Sequence, residues 1–460
     1  MISKLGQGIS KCVERIVPDP FVIAILLTII TAIIALILGD FENENRVTAL
    51  LDSWRDGKGG IWKLLAFSMQ MCLVLVTGYA LATTKLVRLL IDSLANIPNG
   101  TASAAALVGF IACVGGLLNW GLGLIVGALL AREVGFALQR KNIQVHYPLI
   151  AAAGYMGLLV WHGGLSGSAP LSMTTIDGAA KVVPEQYLEH VESILLSESI
   201  GSSMNYIISG GLLVLVPIML FLLAPKNQKD IRPIDMFEVD CGHTEEDLRK
   251  AASLPDKLNQ STIIAWLLGV PLLLALGRHI YVSGIDRVGL NEITVFMLGL
   301  GLLLHGSPIG YMQEITRGAK GCAGIIIQFP LYAGIMAMMV ASGLMGSLTE
   351  LMVASGTQET IPLMTMISAG VVNLFVPSGG GQWAIQAPIA LESGLQTGVA
   401  PGTMVMAVAY GDQLTNMLQP FWALPLLAIT GVRARDIVGY TAVVMVAAAI
   451  WIALGLLLFG

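Results

Sequence analysis

Apolar and polar positions alternate along the chain in blocks. Most apolar blocks reach the roughly 17–25 residues a helix needs to cross the hydrocarbon layer of a bilayer. The first covers residues 19–38 and the second 62–81, which holds Gln70 and Thr77. Residues 83–98 read TTKLVRLLIDSLANIP, with Leu, Val and Ile on one helical face and Lys85, Arg88 and Asp92 on the rest. That pattern predicts a helix lying flat in the interface. Further spans are expected at 148–171, 204–223, 261–277, 290–305, 321–344, 402–429 and 437–459, with a second short amphipathic piece at 346–355.

Two apolar blocks do not fit a simple crossing. Residues 102–133 are broken at LNWGLG, and residues 361–391 at Pro377-Ser378-Gly379-Gly380-Gly381. A fully apolar span has no need of three consecutive glycines, whereas a helix interrupted at mid-depth, with backbone groups facing a ligand, does. Each block is expected to form a re-entrant hairpin. The spans at 148–171 and 402–429 are interrupted as well, by HGGLSGS from His162 and DQLTNMLQ from Asp412. With the N-terminus in the cytoplasm, this topology gathers most Lys and Arg on the cytoplasmic side, as the positive-inside rule requires.

The expected fold is an all-α polytopic membrane protein with about nine transmembrane helices and two re-entrant hairpins. Features of the first half recur in order in the second. Gln70, Asn119, Gly121 with Gly123, Glu133, Tyr155 and Pro170 are followed by Gln328, Asn373, Gly379 to Gly381, Glu392, Tyr410 and Pro420. In the topology above, the two sets run in opposite directions, which is an inverted repeat. Residues 1–224 form one half, 225–260 a polar cytoplasmic linker and 261–460 the other half.

Composition agrees with this pattern. The chain of 460 residues is 55% hydrophobic and only 12% charged, against about 25% charged in soluble domains; its mean hydropathy is +0.78. A net charge of −5 leaves no basic surface for nucleic acid. The five cysteines show neither metal-ligand spacing nor a disulfide framework. The first apolar run lacks a small-residue cleavage pattern and reads as an uncleaved span.

The candidate chemistry lies in the four interruptions, which an inverted repeat would bring together at mid-membrane. They contribute Asn119, Trp120 and Gly121; Gly163, Ser166 and Ser168; Ser378, Gly379, Gly380, Gly381 and Gln382; and Thr415 and Asn416. Half-helices starting at such points aim free N–H groups and a positive dipole end at the centre, which suits a carboxylate. Glycine lets backbone approach the ligand, and the hydroxyl and amide side chains add hydrogen bonds. Asp412 is the one carboxylate deep in an expected span. It could carry a coupling proton, coordinate Na⁺ or be tied to a neighbouring amide. His162 could titrate or serve as a neutral hydrogen-bonding group. Asn119, Ser378, Thr415 and Asn416 are the oxygen-bearing set for a Na⁺ site. No Lys or Arg falls in the core of an expected span, which suits a small monocarboxylate over a multivalent anion. No other cofactor is called for.

These residues resemble the short-chain fatty acid transporter family, the bacterial acetoacetate and butyrate carriers. The matching pieces are ERIVPDPFVIAILLT, FSMQM, NWGLGLIVGALLAREV, GGLSGSAPL, IIIQFPLYAGI, VPSGGGQW and AYGDQLTNMLQPFWALPLLAI, in family order over the whole chain. The resemblance implies secondary transport of short-chain fatty acids across a bacterial cytoplasmic membrane. Through the wider superfamily of paired-hairpin transporters, it also implies a homodimer. The alternatives are a related carrier for dicarboxylates or amino acids, and an anion channel. A membrane enzyme is disfavoured, because Ser378 has no base nearby in sequence and no HExxH-like pair exists.

Overall fold

The computed structural model describes residues 20–41, 45–56, 60–174, 176–179, 191, 193–239, 253–284, 290–344, 346–347, 356–375, 379–419 and 422–460. Among these residues the chain is helical and has no strand. The first half contains α1 (Pro20–Leu38), α2 (Arg46–Arg55), α3 (Leu65–Ala82), α4 (Lys85–Ala95), α5 (Thr101–Leu118), α6 (Trp120–Arg140), α7 (Tyr147–Gly154), α8 (Ser168–Ser172) and α9 (Ser203–Leu223). The second contains α10 (Leu254–Asn259), α11 (Thr262–Ser283), α12 (Leu290–His305), α13 (Pro308–Ala319), α14 (Ala323–Ala341), α15 (Ile361–Phe375), α16 (Gly379–Thr397), α17 (Pro401–Thr415), α18 (Leu424–Thr430) and α19 (Ala434–Phe459).

Six stretches among the described residues are long and apolar enough to cross a bilayer: α5, α6, α9, α10 with α11, α13 with α14, and α19. Shorter apolar stretches lie in α1, α3, α12 and α15. This set differs from the nine expected spans in two ways: those at 19–38, 62–81 and 290–305 are represented by shorter apolar helices, and two others are interrupted. The stretches at 148–171 and 402–429 are not continuous helices, while each arm of the first hairpin is a long helix in its own right. Two helices lie where the sequence reads as loop. Asn45 caps α2 by accepting the N–H groups of Val47 and Thr48, and Ser307 caps α13 by accepting that of Gly310, with Pro308 as the first helical residue. The amphipathic piece expected at 346–355 lies almost wholly outside the described residues.

Helices α5 and α6 fold back on one another with their backbones in contact. A methyl group on Gly123 would lie 2.4 Å from the Gly116 nitrogen, so the pair closes only with glycine there. The Lys141 ammonium donates to the Asn96 carbonyl at 2.6 Å, so the chain enters and leaves this hairpin at one end. Helices α15 and α16 form a second hairpin. Gln382 donates to the Ala369 carbonyl at 2.8 Å across its arms, and Gln358 donates to the Gly398 carbonyl at 3.5 Å at its open end.

Between the hairpins lie two interrupted helices. Tyr147, at the start of the first, donates its hydroxyl to the Thr430 carbonyl at the end of the second, at 3.0 Å. Further along, Tyr155 of the first donates to the Asn416 carbonyl of the second, and His162 meets Asp412. The two interrupted helices therefore run antiparallel. A buried cluster including Ala169, Met173, Trp383, Leu391, Val405 and Val408 packs the second hairpin against both.

The segment that reads as a polar linker begins as a packed strap. Tyr147 donates its backbone N–H to the Arg232 carbonyl at 3.0 Å, and Arg232 donates its own to His146 Nδ1 at 3.3 Å. The Arg232 guanidinium pairs with Asp436 at 2.9 Å, and Ile234 is buried. Residues 240–252 lie outside the described set.

Candidate functional site

After Gly154 the first interrupted helix tightens into two 3₁₀ turns, Met156–Leu159 and Trp161–Gly163, before helix resumes at α8. The interruption thus starts earlier than the glycine-rich HGGLSGS. It places His162 fully buried, with the Trp161 ring stacked on it at a centroid distance of 4.2 Å. The Nδ1 atom of His162 lies 2.7 Å from Asp412 Oδ2. Its Nε2 faces the Ala169 N–H at 3.1 Å and the Ser168 hydroxyl at 3.2 Å. A backbone N–H can only donate, so Nε2 accepts, the ring proton sits on Nδ1, and Asp412 accepts it. Both ring nitrogens are then committed.

The second interruption carries Asp412 in the last turn of α17, followed by the 3₁₀ turn Asn416–Leu418. Asn373, at the end of α15, organises it. Its amide nitrogen lies 2.8 Å from the Asp412 carbonyl, 3.0 Å from Thr415 Oγ1 and 3.0 Å from Asn416 Oδ1. Gln419 donates to the Asn373 carbonyl in return. Gly163 donates its N–H to Gln413 Oε1 at 3.3 Å, a second link between the two interruptions. Asn205 of α9 closes the cluster: its amide donates to the Gly163 carbonyl at 2.9 Å, and its oxygen accepts from Tyr410 at 2.9 Å and Ser209 at 2.8 Å.

The tips of both hairpins reach this cluster. Asn119 caps α6, its oxygen accepting the N–H groups of Gly121 at 2.9 Å and Leu122 at 3.3 Å. The Trp120 N–H donates to Ser166 Oγ at 3.0 Å. From the other side, Gly379 opens α16 directly against the first interruption. A methyl group there would lie 2.6 Å from Ser168 Oγ and 2.9 Å from His162 Cε1. Gly380 is exposed and has no such neighbour, the nearest atom being 3.8 Å from where its methyl would stand.

The structure therefore brings together Asn119, Trp120, Gly121 and Ser166 at one tip. It joins His162, Gly163, Ser168, Gly379 and Asp412 at the junction, and Thr415 with Asn416 around Asn373. Gln382 turns away, donating to Ala369 and to Gln386 Oε1 within its own hairpin. Gly381 is half-buried in the first turn of α16. Ser378 lies outside the described residues. Residues missing from the sequence-based set are Asn205 and Gln413, together with Asn373, Tyr155 and Tyr410, which stood out only as markers of the repeat. Trp161 and Trp422 were also missing. A lone Asn in the first turn of an apolar helix was the one local signal for Asn205.

Of the side-chain oxygens expected for Na⁺, the three among the described residues already have protein partners. Thr415 Oγ1 and Asn416 Oδ1 both face the Asn373 amide nitrogen, and Asn119 Oδ1 caps a helix. Several buried donors find no acceptor among the described residues: Asn119 Nδ2, Trp161 Nε1, Gln413 Nε2 and Asn416 Nδ2. Buried donors are rarely left unpaired in native proteins, so this excess suits an anion that accepts from them. The buried cation Arg132 stands far along α6 from the tip and is answered by Glu133 at 2.9 Å.

The short chain fatty acid transporter family model matches residues 1–459. An Escherichia coli strain K12 protein described as "Putative short-chain fatty acid transporter" is 37% identical over all of both chains. A Haemophilus influenzae protein of the same description is 36% identical over 96% of each. Two solved structures also align. The Alcanivorax borkumensis YdaH transporter covers 95% of this chain and 97% of its own at 16% identity and a TM-score of 0.41. Neisseria gonorrhoeae MtrF covers 97% and 96% at 13% identity and a TM-score of 0.38.

Proposed function

Given that the chain belongs to the short-chain fatty acid transporter family, we propose that it carries small monocarboxylates such as butyrate and acetoacetate across the bacterial cytoplasmic membrane, together with a proton. The observation that carries the coupling is the buried His162–Asp412 contact, which joins the two interrupted helices. A charged carboxylate at mid-membrane costs roughly 2.5–3.5 kcal/mol on insertion scales, so a proton taken up on Asp412 lowers the barrier to moving the site. The substrate carboxylate is held by the uncommitted amide and indole N–H groups, without a Lys or Arg.

In this reading the two hairpins are re-entrant from opposite faces, and the halves are inverted repeats of one another. The antiparallel interrupted helices then expose the site alternately to each side. The nine crossings and a cytoplasmic N-terminus belong to the same proposal. A Na⁺-coupled variant would draw on Asn373 Oδ1 and Gln419 Oε1, the uncommitted oxygens of the second interruption.

The test is uptake of labelled butyrate into proteoliposomes, with a pH gradient and a Na⁺ gradient imposed separately. Accumulation driven by the pH gradient alone is expected. Accumulation driven by Na⁺ alone would remove the proton assignment, and saturable uptake of a dicarboxylate or amino acid in place of butyrate would remove the substrate assignment.

A further inference from the structure

Three tryptophans from three separate backbone interruptions meet beside the candidate site. Trp120 starts α6 at the first hairpin tip, Trp161 lies in the first interrupted helix, and Trp422 follows the second. The Trp120 ring meets Trp422 edge to face at 5.2 Å and Trp161 at 6.4 Å. All three are at least nine-tenths buried. Edge-to-face indoles of this kind form a stiff apolar wall that neither bends nor collapses readily.

Two features separate this cluster from ordinary core. The Trp161 Nε1–H is buried with no acceptor among the described residues, on a ring stacked against the His162 that binds Asp412. One wall of the cluster therefore ends in a free donor. The tip beside it is also open: Leu118 is 55% exposed and Leu165 39%, and the Leu165 N–H is bonded to the Leu117 carbonyl, which keeps the two apolar side chains adjacent to the tip. A donor, an aromatic wall and exposed apolar side chains are thus neighbours. These are the groups a carboxylate and its alkyl tail would meet.

The geometry points to Trp120 and Trp422 as the residues that set the acyl-chain length accepted, with the Trp161 indole N–H as a carboxylate donor. This rests on the monocarboxylate reading above. A short tail packs against the indole faces, while each extra methylene must displace a rigid ring. Where room exists, an extra methylene gains roughly fourfold in affinity. Where it does not, overpacking reverses the sign.

The experiment is inhibition of labelled butyrate uptake by unlabelled butyrate, hexanoate and octanoate, for wild type and for W120F, W422F and W383F. Trp383 is equally buried but packs in the separate cluster around Leu391. In wild type, butyrate is expected to inhibit best. In W120F and W422F the octanoate-to-butyrate preference should rise at least tenfold, and in W383F it should stay put. The ratio needs only residual uptake. For a variant with none, ligand-induced thermal stabilisation of the purified protein by each acid gives the same ranking. An unchanged ratio in both W120F and W422F, or an equal rise in W383F, overturns the assignment while butyrate still inhibits wild type. Wild type inhibited by none of the three acids overturns the monocarboxylate reading, and this inference with it.

Discussion

Tyr155 and Tyr410 act on each other's half of the molecule. The Tyr155 hydroxyl donates to the Asn416 carbonyl at 2.8 Å, with the Gln419 carbonyl at 3.1 Å, while the Tyr410 hydroxyl donates to Asn205 Oδ1 at 2.9 Å. Tyr155, fully buried, ties off backbone of the second interruption, and Tyr410, equally buried, ties off the Asn205 amide of α9 that binds the first. Unwound backbone inside a membrane has no water to pair with, so such groups must be answered by protein. The reciprocity is the pattern that antiparallel halves, each answering the other, would produce.

Replacing Asp412 with Asn should separate coupling from binding. Asparagine keeps the shape and can still accept from His162 Nδ1, but it cannot take up a proton. Proton-driven accumulation of butyrate is expected to fall at least tenfold, to the equilibrium level, while exchange of labelled for unlabelled butyrate across the membrane persists. Undiminished accumulation in D412N would make the residue structural.

Gly379 and Gly380 should respond differently to the same methyl group. Gly379→Ala drives a carbon into Ser168 and His162, whereas Gly380→Ala meets only ordinary contact. Uptake is expected to drop by an order of magnitude or more in G379A and to stay within about twofold in G380A, since a 3.8 Å approach requires no shift. The triple glycine was legible in the sequence as a tip, but which of its members is tight was not. That depends on Ser168 and His162, residues more than two hundred positions earlier.

His146 should give the protein a pH-dependent stability outside the transport site. Burial, helped by the Arg232 charge, lowers its pKa from 6.5 to about 4. Above pH 6.5 the residue is neutral both folded and unfolded and contributes no pH dependence. Between that point and pH 4 the unfolded chain takes up a proton that the folded one refuses, so stability falls as pH falls. The full loss is roughly 3 kcal/mol. The unfolding temperature in detergent should therefore decline more steeply from pH 7 to pH 4.5 in wild type than in H146Q. Parallel declines would refute the assignment.

The open ends of the two hairpins should face opposite sides of the membrane. Gln139 and Gln396 are exposed, one near the end of each hairpin. With the native cysteines replaced, Q139C is expected to react with an impermeant thiol reagent only from the cytoplasmic side, and Q396C only from outside. Labelling of both from one side would rule out the opposed arrangement.

What the sequence disclosed follows the range of the physics involved. Apolar length, the glycine-rich interruptions and a lone carboxylate in a span are local features, and they led to α1, α3, α9, α12, α19 and Asp412. Helix α13 was not legible because Gln313, Glu314 and Arg317 break its apolar run, although Ser307 and Pro308 cap it well. The strap around Arg232 read as soluble linker because the guanidinium is answered by Asp436 and the backbone N–H by His146, both far away in the chain. Asn205 shows only as a lone amide in the first turn of an apolar helix and Gln413 carries no local mark, since each acquires its role from a partner at least forty positions away.

The distance between His162 and Asp412 along the chain also orders events in time. They are separated by 250 residues, and at about 5–20 residues per second a ribosome needs roughly 12–50 s to cover that length. Throughout that interval the first interruption lacks Asp412 for its imidazole and Gln413 for the Gly163 N–H, and Asn205, once made, lacks the Tyr410 hydroxyl. The first half cannot settle into lipid as a finished unit. The missing partners arrive only with α17, so the last third of the chain acts as the lock on the assembly of the first.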